Sequence, residues 1–405
     1  MGRQDYDGAL QALDSLLKEK PDHPEARLWR GRLRADRGAY DRALEDLDEA
    51  VRLAPENAEA LAVRGYIRHK KKEFDPALAD FNTALRLDPL NELALYCRGL
   101  LNGGAGNFLS SLADLDGAIQ VNPKNVPALQ ARGQTRLLRR EWKEAEADFG
   151  QCIELEPKDP ISYTGRASAR MGLQEMEGAV ADLSKAVQLS PGETRPLVQR
   201  GYVYAGMGKK AEALADFEEV LKQDPKDETA LIGRAEIRRA DRKFEEALAD
   251  YSKVLKEQPG MIEALLGRAS VYYVGGQIEK ALADYGTLTK RHTGFAQGWN
   301  DYAWLLSTGP ADGLRDGKRA VELATRACEL TEWANGAYLD TLAASYAEAG
   351  NFEVAVKMQR RAVEFSDKES QETQEEIKSR VALYLDKKAY RETPPQKDAP
   401  AAKKP

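Results

Sequence analysis

The chain has 405 residues, a net charge of -6, three histidines and three cysteines. This mild acidity is unlike the basic surface of a nucleic-acid-binding protein, and no run of about eighteen apolar residues is present to span a bilayer. Cys97, Cys152 and Cys328 lie far apart without a CxxC pair, so they predict reduced, buried thiols and favour a reducing, cytoplasmic compartment.

The first predicted element is a single helix. Residues 1–21 carry Tyr6, Ala9, Leu13 and Pro21, which match only the second half of the unit that follows, so we expect a partial repeat here. Because the sequence begins inside a repeat, an upstream segment stays an open alternative. Removal of an upstream signal segment would imply an extracytoplasmic location instead.

Residues 22–291 are predicted to form eight regular repeats. Eight prolines, from Pro21 to Pro259, stand 34 residues apart without an insertion or deletion, which is typical of a solenoid made from one copied helical hairpin. Small residues such as Gly65 and Ala77 allow the two helices to approach, and Phe81 fills the space beside them. In this second full repeat the spacing predicts helices over 58–71 and 75–87, and glycines at four equivalent turns fit a helix end.

The pattern diverges after this region. Residues 292–366 predict two divergent repeats, with an inserted turn at 307–318 that is either a partner contact or, more simply, a tolerated insertion. Residues 367–391 predict a capping helix, which a solenoid needs at its open end. The Pro-, Ala- and Lys-rich residues 392–405 predict a disordered tail.

The register of small residues, large apolar residues and prolines resembles the tetratricopeptide repeat (TPR) family over residues 1–366, most specifically through residue 291. The segment 334–343 resembles the ending of many bacterial TPR proteins. The resemblance implies an all-α, right-handed superhelical solenoid of stacked antiparallel helix pairs with a C-terminal capping helix. It also implies a non-catalytic scaffold or adaptor that binds another protein.

When each repeat is numbered so that its proline is position 32, arginine recurs at position 7 and aspartate at position 23, beside the small residues. The family usually has leucine at position 7. An unpaired buried charge is costly, so the two should pair. Pairing with the next repeat would leave Arg30 opposite Ala12 and Asp284 opposite Tyr302, so we predict pairs within repeats, which belong to the scaffold. The predicted pairs are Arg30 with Asp46, Arg64 with Asp80, Arg98 with Asp114, Arg132 with Asp148, Arg166 with Asp182, Arg200 with Asp216, Arg234 with Asp250, and Arg268 with Asp284.

The resemblance places ligand binding in a concave groove lined by positions 2, 5, 9, 12 and 13 of the first helices. These positions differ between repeats, and aromatic residues among them suit a partner's extended peptide or helix, unless they only pack against neighbouring helices. No repeat has the Lys and Asn of the family's carboxylate clamp, which disfavours binding of a chaperone's C-terminal tail. The candidate groove residues are Tyr66, His69, Lys70, Tyr96, Gln130, Gln134, Leu137, Met171, Tyr202, Arg239, Tyr273 and Trp304.

No catalytic, cofactor-binding or metal site is predicted. His23, His69 and His292 have no metal-ligand neighbour at helical spacing, and the glycines of residues 103–106 follow no strand, as a phosphate loop would require. We therefore expect a protein partner, no nucleic acid and no membrane span. The alternatives are self-association through the array ends and a regulatory or targeting portion of a larger enzyme whose catalytic domain lies upstream.

Overall fold

The computed structural model describes residues 3–366 and 370–393, which form 22 α-helices and one 3₁₀ turn and contain no strand. The chain divides into two compact units, an N-terminal unit, Met1–Val203, and a C-terminal unit, Tyr204–Pro405. Within each unit, consecutive helices pack as pairs, as the resemblance implies.

In the N-terminal unit a single helix precedes five complete helix pairs. The helices are α1 (Arg3–Glu19), α2 (Pro24–Asp36), α3 (Tyr40–Leu53), α4 (Ala58–Lys70), α5 (Phe74–Leu87), α6 (Glu92–Gly104), α7 (Phe108–Val121), α8 (Val126–Leu138), α9 (Trp142–Leu155), α10 (Pro160–Gly172) and α11 (Met176–Leu189). The observed α4 and α5 agree with the helices predicted at 58–71 and 75–87 to within one residue at each end.

The next helix, α12 (Thr194–Gly206), begins in the N-terminal unit and ends in the C-terminal one. The C-terminal unit continues with α13 (Lys210–Gln223), α14 (Glu228–Ala240), α15 (Phe244–Glu257), α16 (Ile262–Val274), α17 (Ile278–Arg291), α18 (Ala296–Thr308), α19 (Gly317–Leu330), α20 (Gly336–Glu348), α21 (Phe352–Glu364) and α22 (Gln371–Leu385). From α2 to α21, even-numbered helices are the first and odd-numbered helices the second of each pair.

The helix ends follow from residues at fixed repeat positions. Each first helix tends to begin after an Asn or Asp whose side chain accepts a backbone N–H, as Asn91 Oδ1 does from Ala94 N at 2.9 Å. The turn between the two helices places one residue at positive φ, for example Gly38 at 76° and Gly106 at 80°. Lys72 and Arg140 adopt the same conformation at 66° and 62°, although a side chain there is strained.

Glycines at two repeat positions allow close packing, one within a hairpin and the other between neighbouring hairpins. A Cβ added at Gly65 would lie 2.7 Å from Phe81 Cε1 of the same repeat, and one at Gly165 would lie 2.3 Å from Phe149 Cε1 of the preceding repeat. Gly233 and Gly267 repeat the second arrangement in the C-terminal unit. A large ring on one hairpin thus occupies the space left by a missing side chain on the next.

The connection between α18 and α19 is the irregular part of the C-terminal unit. It contains the 3₁₀ turn Asp312–Leu314, and Ala311 and Leu314 pack against a buried cluster that includes Leu305. Arg315 Nη1 donates to the carbonyl oxygen of Gly309 at 2.9 Å, and Arg315 Nε lies 3.1 Å from Glu348 Oε1. These contacts hold the insertion against its own unit.

The C-terminal end differs in part from the sequence prediction. A capping helix is present as α22, but it ends at Leu385, and residues 367–369 of the predicted span lie outside the described residues. Glu392, assigned from sequence to a disordered tail, is instead hydrogen-bonded to α16 and α18. Its partners are distant in sequence, and residues 394–405 of the predicted tail lie outside the described part.

Candidate functional site

The recurring arginine and aspartate side chains meet between the two helices of a repeat. Seven of the eight predicted pairs have both members in one unit, and all seven join Nη2 to Oδ1 over 2.6–2.8 Å. The aspartate side chains are at most 8% exposed in these pairs. Arg200 and Asp216, the eighth predicted pair, belong to different units.

Sequence reasoning missed the rest of this network. A second arginine, four residues after the first, also reaches the aspartate, as Arg136 Nη1 does to Asp148 Oδ2 at 2.7 Å. The first arginine also binds the preceding hairpin, as Arg132 Nη1 does to Asp116 Oδ1 at 2.7 Å. The repeated Arg34, Arg68, Arg136, Arg170 and Arg238 were the available sequence signal.

These contacts keep the guanidinium groups charged. Hydrogen bonds that the guanidinium groups donate to the paired aspartates raise the pKa values of Arg30, Arg166 and Arg268, against an opposing effect of burial. The bidentate, charge-assisted geometry joins the two helices of a repeat and, through the third contact, neighbouring hairpins. A contact repeated in this way serves the scaffold.

Binding residues were predicted on the first helices, and successive first helices contact each other in both units, for example α4 with α6, α6 with α8, and α14 with α16. We call the surface made in each unit by the candidate positions of these helices the first-helix face of that unit. It is continuous across hairpins where such contacts occur, so a ligand can touch several repeats.

In the N-terminal unit, four candidates lie close together in the fold. Tyr66 and Tyr96 are half-buried and pack against one core cluster, so their rings are held in place. The Lys70 ammonium lies 5.2 Å from the centroid of the Tyr66 ring. Burial lowers the pKa of His69, whose ring centroid is 5.9 Å from that of Phe74.

The remaining candidates of the N-terminal unit differ in their burial and in their contacts. Gln130 Nε2 donates to Asp159 Oδ2 at 2.7 Å and to Ser162 Oγ at 3.0 Å, so its amide joins α8 to the start of α10. Leu137 packs beside a buried cluster that contains Phe149. Gln134 and Tyr202 are exposed, Tyr202 by 39%, and Met171 is half-buried.

In the C-terminal unit the predicted Arg239 is engaged within its own helix. Its Nη2 atom lies 2.6 Å from Glu236 Oε2, and the same glutamate accepts a hydrogen bond from the hydroxyl of buried Tyr251. Burial and Glu236 together raise the pKa of Tyr251. Arg239 therefore forms part of a small, partly exposed network between α14 and α15.

Tyr273 and Trp304, the last two candidates, bind the chain's own C-terminal segment. The Tyr273 hydroxyl donates to Glu392 Oε2, and Trp304 Nε1 donates to Glu392 Oε1 at 2.8 Å. The backbone N–H of Glu392 donates to the carbonyl oxygen of Thr308 at 2.9 Å. Burial, with the Glu392 hydrogen bond, raises the pKa of Tyr273, so its hydroxyl remains a donor at neutral pH.

Comparison with known proteins agrees with this repeat geometry. Family models described as tetratricopeptide repeat match residues 1–68, 58–89, 198–262 and 238–293. The chain is a tetratricopeptide repeat protein. Its repeat family supports a role as a protein-interaction scaffold. A search of curated proteins finds no match.

Three solved structures are similar to this chain over part or most of its length. Yeast Tom70 is similar with a TM-score of 0.51 and 14% identity, over 94% of this chain and 92% of Tom70. A TPR protein from Parabacteroides merdae is 24% identical, with a TM-score of 0.46, over 57% of this chain and 92% of its own. YrrB, described as a TPR protein with an unusual peptide-binding site, is 21% identical, with a TM-score of 0.41, over 46% of this chain and 97% of its own.

The bound C-terminal segment of this TPR protein rests on a buried ion pair. Arg380 of α22 lies 2.7 Å from Asp340 of α20, with both side chains under 10% exposed. The Arg380 guanidinium lies 5.3 Å from the Trp304 ring centroid and 4.5 Å from that of Tyr390. The capping helix therefore positions both rings beside the Glu392 contact.

Within residues 3–366 and 370–393, no group of three or more His, Cys, Asp and Glu side chains is arranged to hold a metal ion. None of the described helices is both long and apolar enough to cross a membrane. The three cysteines are buried, and burial raises the pKa of the Cys97 thiol to about 12.

Proposed function

We propose that this TPR protein is a non-catalytic scaffold that binds an extended peptide of a partner protein on its first-helix face. One observation carries the proposal: residues 388–393, which have no regular secondary structure, already lie on Tyr273 and Trp304. Tyr273 and Trp304 occupy two of the repeat positions at which binding was predicted. The face is therefore able to accept a non-helical chain.

The chemistry of the contact suits a peptide rather than a small molecule. One hydrogen bond comes from the peptide backbone to Thr308, and two come from side-chain donors on successive first helices, α16 and α18. Main-chain bonds hold the peptide, while side-chain bonds select its sequence. Equivalent positions on other repeats offer different side chains, which extends the selection along the array.

The first-helix face of the N-terminal unit is proposed as the surface for the partner. Tyr66 and Tyr96 are aromatic side chains already fixed by core packing, so little conformational entropy is lost when a peptide covers them. Exposed Lys70 and Gln134 supply polar contacts on the same helices or the next. This mixture of rigid aromatic and polar groups is typical of binding hot spots.

The test measures where a captured partner binds. Partners are isolated with the whole chain and mapped by cross-linking, and the affinity of the mapped peptide is then measured by calorimetry. Tyr66→Ala with Gln134→Ala should weaken binding about 10-fold or more, as loss of a hot-spot aromatic does. Circular dichroism checks that each variant is folded.

The matched control changes the same residue types elsewhere. Tyr163 is half-buried at repeat position 4, and Gln120 is exposed on second helix α7, so neither belongs to the first-helix face. Tyr163→Ala with Gln120→Ala should leave the affinity unchanged. Equal losses in both variants, or cross-links confined to second helices, would refute binding on the proposed face.

A further inference from the structure

We infer that residues 388–393 are a built-in ligand of the C-terminal unit, and that the site beneath them selects an extended peptide with an aromatic side chain two residues before a glutamate. This inference rests on the proposed function and specifies the ligand class of one part of the face. A partner segment with that pattern would have to displace the chain's own.

The glutamate subsite recognises a carboxylate by directed hydrogen bonds. Tyr273 and Trp304 lie on different helices and donate to different oxygens of Glu392. No Lys or Arg of the described residues forms an ion pair with Glu392, so the position of the two neutral donors determines the fit. Two donors to two oxygens match a planar carboxylate better than a hydroxyl or an aliphatic side chain.

The backbone subsite uses the end of a helix. Thr308 is the last residue of α18, where carbonyl oxygens lack partners within the helix. Its oxygen accepts the N–H of Glu392. Because Thr308 is fully buried, this carbonyl would otherwise lose hydrogen bonding, and an incoming peptide has to supply the same N–H to displace the segment.

The aromatic subsite is prepared by the capping helix. The Tyr390 ring lies 5.8 Å from the Trp304 ring, and the Arg380 guanidinium contacts both rings. Arg380 is fixed by Asp340, which also accepts a hydrogen bond from buried Gln359. A buried, fixed cation beside two rings favours an aromatic ligand side chain at this place.

Arg391 lies between Tyr390 and Glu392 and makes a partly exposed contact. Arg391 lies 2.5 Å from Glu348, the last residue of α20, but its side chain is 40% exposed. Glu348 is only 14% exposed, but it also pairs with Arg315 at 3.1 Å and so keeps a cation without Arg391. This position should therefore tolerate substitution in a ligand. The selective pattern is therefore the aromatic residue and the glutamate.

Attachment to α22 explains how so few contacts keep residues 388–393 in the site. The segment follows α22 directly, through a turn in which Lys387 has a φ of 56°. A short tether gives an effective concentration in the millimolar range, so a weak ligand occupies its site when attached. A separate peptide competes poorly until the segment is released, which lowers its apparent affinity.

The experiment uses the full chain and a fluorescein-labelled peptide of residues 386–397, DKKAYRETPPQK. Full-length protein with Tyr390→Ala and Glu392→Ala should bind this peptide at least 10-fold more tightly than the unaltered protein, because its own segment no longer occupies the site. Lys388→Ala, an exposed change in the same segment, should behave like the unaltered protein. Fluorescence anisotropy measures the affinities.

A second comparison tests the pocket itself. The released protein is the variant with Tyr390→Ala and Glu392→Ala. In it, Tyr273→Phe removes one donor while keeping the ring, and should weaken peptide binding at least 5-fold. Tyr272→Phe on the same helix should leave peptide binding unchanged. A Glu392→Ala peptide should likewise bind at least 5-fold more weakly. Absent binding to the released protein, or equal binding by the released and unaltered proteins, overturns the inference.

The two proposals fail in different ways. If the labelled peptide does not bind but Tyr66→Ala with Gln134→Ala still weakens a partner selectively, only the built-in ligand is refuted. If the peptide binds as expected while the N-terminal variants retain full partner affinity, the partner does not use the N-terminal face and the built-in ligand stands.

Discussion

Replacing Arg98 by methionine should destabilise the protein more than replacing Arg132 by methionine, although both arginines occupy the same repeat position. Each forms a 2.6 Å contact with the aspartate of its repeat, Asp114 or Asp148. The two repeats differ in the residue four positions after the first arginine. Asp148 also has Arg136 at 2.7 Å, whereas Asp114 has only the neutral amide of Asn102 at 3.0 Å.

The magnitude follows from the charge that is left behind. Arg98→Met leaves a nearly buried carboxylate without a cation, a situation that costs about 3–5 kcal/mol; partial exposure of the Asp114 side chain, 8%, places the expectation near the lower end. Arg132→Met leaves Asp148 paired with Arg136, so the cost is that of lost charge-assisted hydrogen bonds, about 1.5–3 kcal/mol. We expect a difference of about 1 kcal/mol or more.

The measurement has to be local, because a long repeat array does not unfold in one step. Native-state hydrogen exchange, read by mass spectrometry over α6 with α7 and over α8 with α9, reports the opening free energy of each hairpin. The control variant adds an arginine beside Asp114. Arg98→Met combined with Asn102→Arg gives Asp114 the single arginine that Asp148 keeps in Arg132→Met, and should recover much of the lost protection.

Two results would refute this reasoning. Equal losses in the single variants would show that the second arginine does not compensate for the first. No recovery by Asn102→Arg would show that the cost arises from packing of the Arg98 side chain rather than from its charge. Replacing both members, Arg98→Met with Asp114→Leu, should cost less than Arg98→Met alone, because no buried charge is then unpaired.

Three further outcomes are expected. Gly165→Ala should lower the local opening free energy, measured by the same hydrogen exchange, by about 1–3 kcal/mol, because its Cβ would meet Phe149 at 2.3 Å. Gly150→Ala, with open space around it, should raise that free energy by about 0.5–1 kcal/mol, and a reversed order would contradict the packing. Arg140→Gly should stabilise by about 1 kcal/mol, since φ is 62° there, and no gain would argue against a strained turn. Cys97, with its pKa raised to about 12 by burial, should react with a thiol reagent at pH 8 far more slowly in native protein than in urea, and rapid native labelling would show it to be accessible.

The repeat and its internal contacts could be predicted from sequence because they are local. An arginine and its aspartate are 16 residues apart in each of the eight regular repeats, so a contact within one hairpin leaves a trace at the 34-residue period. The contribution of Arg136 was visible in the same register but was not recognised. Among the groove candidates, sequence position indicated the helix face but not which side chains are already engaged, as Gln130 and Arg239 are.

The contacts of the C-terminal segment, unlike those within a repeat, join residues that are distant in sequence. Glu392 is 119 residues from Tyr273 and 88 from Trp304, and neither separation is a multiple of the repeat. Composition alone assigned Glu392 to a disordered tail, because a polar segment is expected to stay solvated unless a specific surface receives it. The amino-acid sequence by itself determined the hairpin, its period and the ion pair that closes it, since these contacts recur locally. The tertiary structure decided where the last residues bind, because that contact requires α16, α18 and α22 to be assembled first.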